Sequence, residues 1–295
     1  MKKTYLSFLF IFILLISSGC EIFISEREPL LEVHFIDVGQ GDASLIISPN
    51  GKAMLIDAGD NSKGREVVEY IKRQGVRKID VLIGTHPHAD HIGGMDDVIN
   101  SFEIGEFYMP KKIHTTKTFE DVLLAAKSKG ITIKEAYEGR EIDFDTNIDT
   151  RFLNPIKDKN YSDELNLYSA VVRMVYDKDS FIFMGDAEAP NEKDIIKSFD
   201  DIQSDVIKLG HHGSSTSTTK EFLDKVSPYA AVVSAGYKNK YSHPHKEVLT
   251  LLEENAIPVY RTDEQGTIVF KSRGDEITVN QDPGTYIYRK GNKEV

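Results

Sequence analysis

Between residues 31 and 280 the chain alternates short apolar runs rich in β-branched side chains with segments whose apolar positions recur every three or four residues. The first pattern predicts strand and the second amphipathic helix. Residues 31–36 and 43–47 are two such runs, separated by Asp37-Val38-Gly39-Gln40-Gly41-Asp42, which reads as strand, glycine turn and strand. A third strand ends at Leu55-Ile56-Asp57-Ala58-Gly59. Val67, Val68 and Ile71 fall at helical spacing that stops at Gly75, and 79–84 is a continuous apolar run, a buried strand that delivers Thr85 and His86 to its carboxyl end. Helix is predicted within 92–102, strand over 106–109, and helix over 118–130, opened by the capping-box spacing of Thr118 and Asp121. Paired strands at 170–176 and 181–184 flank the turn Asp177-Lys178-Asp179. Helix over 191–199, strand over 206–209, helix over 220–226, strand over 230–234 and helix over 246–254 follow, with strand again at 259–260, 267–270 and 276–279. No repeat, low-complexity segment or proline/glycine-rich linker divides 31–280, so the pattern favours one layered α/β domain, with 281–295 as a C-terminal tail.

The amino terminus follows another rule. Lys2 and Lys3 precede the apolar run 6–16, whose eleven residues fall well short of the ~20 a membrane-spanning helix needs. This is a signal-peptide pattern over 1–19. Ser17, Ser18 and Gly19 lead into Cys20, which resembles the lipobox of bacterial lipoproteins, although Ser17 departs from the aliphatic residue usual three before the cysteine. The expectation is a lipidated Cys20, a polar tether over 20–30, and a location at the extracellular face of the bacterial membrane, with secretion as the alternative. One cysteine excludes an intramolecular disulfide and a cysteine-based zinc ribbon. The net charge of −11, or −13 once Lys2 and Lys3 are lost, argues against a general grip on polyanions. Lys208, Lys238, Lys240 and Lys246 read as solvated positions rather than a basic rim. Phosphate chemistry in such a chain needs local help, such as metal ions.

Histidine supplies the candidate chemistry. Seven of nine histidines lie in three groups: His86, His88 and His91; His211 and His212; His243 and His245. The segment Thr85-His86-Pro87-His88-Ala89-Asp90-His91 holds four potential ligands within six residues, and imidazole with carboxylate suits zinc, iron or manganese. His86 and His88, two apart, reach one side of an extended segment, and Asp90 with His91 reaches a second ion. Asp186 follows an apolar strand and Gly185, where its carboxylate is placed to bridge two ions, and His211 follows a strand and Gly210 in the same way.

His86-Pro87-His88-Ala89-Asp90-His91 resembles the signature of the metallo-β-lactamase-fold hydrolases. Along nearly the whole chain after the leader, Asp37-Val38-Gly39-Gln40-Gly41-Asp42, Leu55-Ile56-Asp57-Ala58-Gly59, Asn166-Leu167-Tyr168-Ser169, Gly185-Asp186, His211-His212-Gly213-Ser214-Ser215 and Tyr241-Ser242-His243-Pro244 resemble, in order, the extracellular domain of ComEC-type DNA-uptake proteins, without their many membrane helices. The resemblance implies a four-layer αββα sandwich in a single domain, with two divalent metal ions, Zn or Mn, at one edge of the sheets. It makes His86 and His88 ligands of one ion, Asp90 and His91 of the other, Asp186 the bridge and His211 the final ligand. His212 is then a neighbour. Where many family members supply a third histidine to the first ion, this chain offers Asn166 and Ser169. Asn166, Ser169, His212 and Ser214 are candidate substrate contacts, Asp57 orients ligands from behind, and His243 faces the scissile phosphate or leaving group. Paired cations lower the pKa of a water towards ~7 and clamp a phosphodiester, with Asp90 orienting the attacking water. The expected function is a cell-surface metal-dependent phosphodiesterase or nuclease acting on DNA. The alternatives are a lactam, lactone or thioester hydrolase of the same fold, or a lipoprotein that binds metal or DNA without cleaving it.

Overall fold

The structure, a computed structural model, describes residues 30–291, so the leader expected over 1–19, Cys20 and nearly all of the expected tether lie outside the described residues. Among the described residues no helix is long and apolar enough to cross a membrane. The amino-terminal half runs β1 (Leu31–Phe35), β2 (Ser44–Ile47), β3 (Ala53–Ile56), α1 (Gly64–Arg73), β4 (Lys78–Ile83), α2 (Ala89–Ile92), α3 (Met95–Ser101), β5 (Glu103–Met109), α4 (Lys117–Ser128) and β6 (Ile133–Glu135). The second half runs β7 (Ile148–Asn154), β8 (Val171–Tyr176), β9 (Asp179–Phe183), α5 (Ala189–Ser198), β10 (Val206–Lys208), α6 (Lys220–Val226), β11 (Ala230–Val233), α7 (Lys246–Glu254), β12 (Val259–Arg261), α8 (Thr262–Gln265), β13 (Ile268–Ser272) and β14 (Ile277–Val279).

Side-chain alternation builds the layers. Leu31, Val33 and Phe35 of β1 point to the same core as Phe181 and Phe183 of β9, so the two sheets face each other across one apolar interface. Leu45 and Leu55 point the other way, onto Val67, Ile71 and Val98 of the helices, and Ile182 and Ile207 meet Phe222, Val248 and Leu252. Three separate apolar clusters between stacked layers amount to four layers, helix, sheet, sheet, helix, the αββα sandwich. One sheet has the order β14-β13-β1-β2-β3-β4-β5-β6 and the other β12-β11-β10-β9-β8-β7. Because β13 returns to pair antiparallel with β1, from Leu31↔Ser272 to Phe35↔Ile268, the carboxyl-terminal half completes the amino-terminal sheet and the whole is one domain. In both sheets the parallel strands, β3 to β6 and β9 to β12, present carboxyl ends where the chain turns out, the part of an open sheet where ligands bind.

Two local readings are corrected. The cap of α4 is Thr116, whose side chain accepts from the Phe119 N–H; Thr118 lies inside the helix and its hydroxyl is exchanged with Asn61 instead. The edge strands β6 and β7 carry charged or polar residues between their apolar ones and escape the run-based reading, although Ile148, Thr150 and Phe152 alternate as half-buried strand. Residues 281–291 pack onto the domain: the buried Arg261 guanidinium donates to the Thr285 and Ile287 carbonyls at 3.0 and 2.8 Å, and the Tyr286 hydroxyl to the Ile257 carbonyl at 2.8 Å.

Candidate metal centre

Each candidate ligand sits where a strand ends and the backbone turns sharply. β4 hands the chain to Thr85 and His86, and the turn closes into α2, which carries Asp90 and His91. Gly185 follows β9 at φ 53°, and a Cβ there would meet that of Thr85 at 3.0 Å. Only glycine lets the chain pass so close, and that passage sets Asp186 beside His86. Beyond β10, His211 and His212 are both left-handed, at φ 48° and 54°, strain of the kind functional sites retain.

Two groups of ligand atoms result: His86, His88 and Asp186 bring one donor each within 4.8 Å of one another, and Asp90, His91 and His212 do likewise. They meet at Asp186. Its Oδ2 is 3.7 Å from His86 Nε2, and its Oδ1 is 3.1 Å from His91 Nε2 and 3.5 Å from His212 Nε2, while Asp90 Oδ2 lies 3.3 Å from His212 Nε2. Hydrogen bonds behind the ligands select the nitrogen that faces in. His91 Nδ1 donates to Asp57 Oδ2 at 2.8 Å, and Asp57 in turn accepts from the Thr85 N–H and hydroxyl at 2.8 and 2.7 Å. His212 Nδ1 donates to the Ser234 carbonyl at 2.9 Å. His91 Nε2, His212 Nε2 and Asp186 Oδ1 are left buried, without a hydrogen-bond partner, and turned towards one another.

An unsatisfied buried polar atom costs about 1–3 kcal/mol, so three converging ones mark a place built for something else. Electrostatics says what. Burial alone would lower the pKa of His91, but the Asp186 and Asp57 carboxylates raise it well above its ordinary value; Asp186 and Asp42 likewise overcome burial and push His212 up to about 10. Burial would raise Asp186, and the His91 and His212 imidazoles hold it well below the usual carboxylate range. The cluster therefore demands positive charge in its middle. Burial and the neighbouring His91 hold His86 and His88 down, neutral and ready to ligate. Imidazole and carboxylate donors in two groups sharing one aspartate fit two divalent cations.

The two adjacent histidines, of which the motif implies His211 as ligand and His212 as neighbour, differ in burial and in partners. His212, buried, completes the second ligand group, and His211, partly exposed, turns to Glu188 Oε1 at 3.0 Å and to Asn166 Nδ2 at 3.4 Å, with Nε2 3.8 Å from Asp186. Ser169 is fully buried: its hydroxyl accepts from the Asp186 N–H at 3.1 Å and lies 3.4 Å from His86 Nδ1, so it holds protein groups rather than facing solvent. Ser214 is buried too, its hydroxyl bonded to Thr216 within the same turn. His243 is brought to the site, its ring stacked 6.0 Å from that of His212. Burial and the surrounding His212, His211 and His245 imidazoles push its pKa down to about 3. A cleft of about 250 Å³ opens over Asp186 and is lined by His88, Asp90, His211, His212, Tyr241 and His243, with Gln40 and Ala89 at its side.

Three residues of the site carry no role in the sequence reading. Glu188 holds His211, and it also caps α5, the only reading its position in the sequence invites. Asp42 and Lys208 form a fully buried ion pair beneath Asp186, and Lys208 also reaches the Gly185 carbonyl at 3.4 Å. Lys208 is thus no solvated position. Asp42 Oδ1 stands 3.4 Å from His212 Nδ1 and Oδ2 stands 3.8 Å from His91 Nδ1, backing both rings at once. A signal for Asp42 exists in Gly41, at φ 143°, where a Cβ would meet the Asp90 carbonyl oxygen at 2.4 Å. The glycine presses the β1–β2 turn against the ligand loop, and the Asp42 N–H donates to that carbonyl at 3.1 Å.

Known proteins resemble this chain in sequence and in fold. The chain is 34% identical over 257 residues to ComE operon protein 3 of Bacillus subtilis (strain 168), covering 81% of this chain and 33% of that protein. It is 29% identical over 259 residues to Recombination protein 2 of Haemophilus influenzae (86% and 30%) and 30% identical over 236 residues to Competence protein ComA of Neisseria gonorrhoeae (79% and 31%). The chain spans about a third of the length of the curated relatives it matches. Among solved structures, the metallo-beta-lactamase fold protein YhfI from Bacillus subtilis superposes with a TM-score of 0.52 at 13% identity, over 83% of this chain and 100% of that one, a likeness of fold. Residues 36–237 match the model of the metallo-beta-lactamase superfamily, and the chain belongs to that superfamily.

Proposed function

We propose that this protein hydrolyses phosphodiesters, with DNA as its substrate, at a dinuclear centre, and that Cys20 tethers it by lipid to the outer face of the membrane. One observation carries the reading: two ligand groups, His86/His88/Asp186 and Asp90/His91/His212, meet at a shared aspartate on the floor of an open cleft. Two divalent cations held there, Zn or Mn, supply the positive charge that a phosphodiester needs and lower the pKa of water. The names of the relatives, a competence protein and a recombination protein among them, favour a polynucleotide over a lactam.

The chain's own residues divide the remaining work. Asp90, held below the usual carboxylate range by His212 and His91 against the effect of its burial, stays ionised and orients the attacking water. His212 serves as ligand. His211, whose Nδ1 donates to Glu188, lines the cleft with Nε2 3.8 Å from Asp186 and orients the substrate beside the ions. His243 is neutral, so it contributes an N–H hydrogen bond at the leaving-group side rather than a proton from an imidazolium. Asp57 and Asp42 keep the rings of His91 and His212 aimed.

Metal-loaded protein incubated separately with a nitrophenyl phosphodiester, with DNA and with a chromogenic lactam tests the reading. Turnover of the first two is expected. Turnover of the lactam alone overturns it in favour of carbonyl chemistry, and turnover of none indicates a binding protein.

A further inference from the structure

Beside the cleft, the loop 236–245 carries two aromatic side chains that the core does not claim. Tyr237 is 63% exposed and Tyr241 51%. The Lys238 ammonium lies over the Tyr237 ring at 5.4 Å and that of Lys240 over the Tyr241 ring at 5.2 Å, and among the described residues neither lysine is in an ion pair. In a chain of net charge −11, two unneutralised lysines on exposed rings at the mouth of the site are a local exception.

Hydrogen bonds tie down the loop presenting them. Buried Asn239 donates to the Gly236 and His243 carbonyls at 2.8 and 2.6 Å and accepts from the N–H groups of Tyr241 and His243, both at 3.1 Å. Gly236 passes so close to Gln40 that a Cβ would meet its backbone nitrogen at 2.8 Å. His245 Nε2 donates to the Tyr241 carbonyl at 3.1 Å. The backbone that carries both rings is thus tied down before any ligand arrives, and Tyr241 is further packed on His243, which lowers the entropy cost of binding.

The rings form a ladder leading out of the site. His212 stacks on His243 at 6.0 Å and 29°, and His243 stacks on Tyr241 at 5.7 Å and 22°. Tyr241 is the outermost rung and lines the cleft. A planar base placed on it extends the stack by one, and the flexible Lys240 ammonium, displaced from the ring, is then free for an adjacent phosphate.

We propose that Tyr241 and Lys240, flanked by Tyr237 and Lys238, form a strand-binding lip that takes an unpaired nucleotide next to the phosphate in the cleft, its base stacked on Tyr241 and its phosphate held by Lys240. This rests on the phosphodiester reading and narrows the substrate to a single-stranded polynucleotide, because a base inside a duplex has no free face.

The test uses the metal-loaded full chain and a hydrolysis-resistant phosphorothioate single strand bearing a fluorescent aminopurine near its end. Quenching on binding is expected for the wild type. Tyr241→Leu should abolish the quench and weaken binding roughly tenfold, Tyr241→Phe should keep both, and Lys240→Gln should lower the salt slope of log affinity by about 0.7. An unchanged quench in Tyr241→Leu overturns the lip. So does a loss confined to anionic phospholipid vesicles with strand binding intact, which makes the loop a membrane contact instead. Wild-type turnover of a nitrophenyl phosphodiester reads the underlying hydrolysis separately: turnover with no effect of Tyr241→Leu on the quench sinks the lip alone, and no turnover sinks the hydrolytic reading.

Discussion

His211 and His212 are chemically identical neighbours in consecutive left-handed conformations, yet one is buried against Asp90 and Asp186 and the other faces the cleft beside Glu188. Replacing each with Asn should separate their parts. His212→Asn should weaken the second ion by at least the ~10–100-fold that loss of an outer partner costs, so that elemental analysis after dialysis finds about one ion per chain. His211→Asn should retain two and lower kcat by about 100-fold. The reverse pattern would return the ligand role to His211. What the sequence makes legible here is the pair, through strand, glycine and two histidines; what it leaves open is which ring turns inward, because the backbone angles of a strained turn are set by tertiary contacts such as the Ser234 carbonyl. His86, His88, Asp90 and His91 are legible for the opposite reason, since their spacing along one turn already decides their proximity.

At the scale of elements, Asp42 and Lys208 join the β1–β2 turn of one sheet to the end of β10 in the other. No local pattern announces a pair 166 residues apart, and a lysine closing a short strand reads as a solvent-facing end. The same limit hides β6 and β7, edge strands whose partners and not their own apolar content define them, whereas β4 and β9 are legible because Val81-Leu82-Ile83 and Phe181-Ile182-Phe183 are apolar on both faces, and β1 because Leu31, Val33 and Phe35 alternate with polar residues. Lys208→Met leaves the Asp42 carboxylate buried without its cation, which costs about 3–5 kcal/mol in similar settings. In thermal unfolding of metal-loaded protein this should appear as a fall in Tm of roughly 10 °C. The double variant with Asp42→Asn should recover most of it. An additive double variant would show that the two groups do not stabilise each other.

For the whole molecule, residues 281–291 act as a strap. It runs from Gly284, whose N–H donates to the Val259 carbonyl at 2.7 Å, past Arg261 to Gly291, whose N–H donates to Ser242 Oγ at 3.0 Å, next to His243. Glu264 fastens it, accepting from the Thr285 N–H and hydroxyl at 2.8 and 2.7 Å and from Arg289 at 2.9 Å, with Arg261 at 3.3 Å. Burial would raise the Glu264 pKa, but the Thr285 donors, Arg261 and Arg289 hold it below its ordinary 4.5. A carboxyl depressed in the folded state stabilises that state fully above the unfolded value and less as the pH falls through the folded one. The strap should therefore stay docked above pH 4.5 and loosen in acid below it. Hydrogen exchange of the Thr285 and Gly291 amides, followed from pH 6 downwards, should accelerate there beyond the intrinsic trend. Glu264→Gln should exchange faster at neutral pH and lose that acid-dependent step, although Asp263 remains beside Arg261. If the step survives the substitution, Asp263 and not Glu264 controls the strap, and the link from the carboxyl terminus to the His243 loop runs through the other acid.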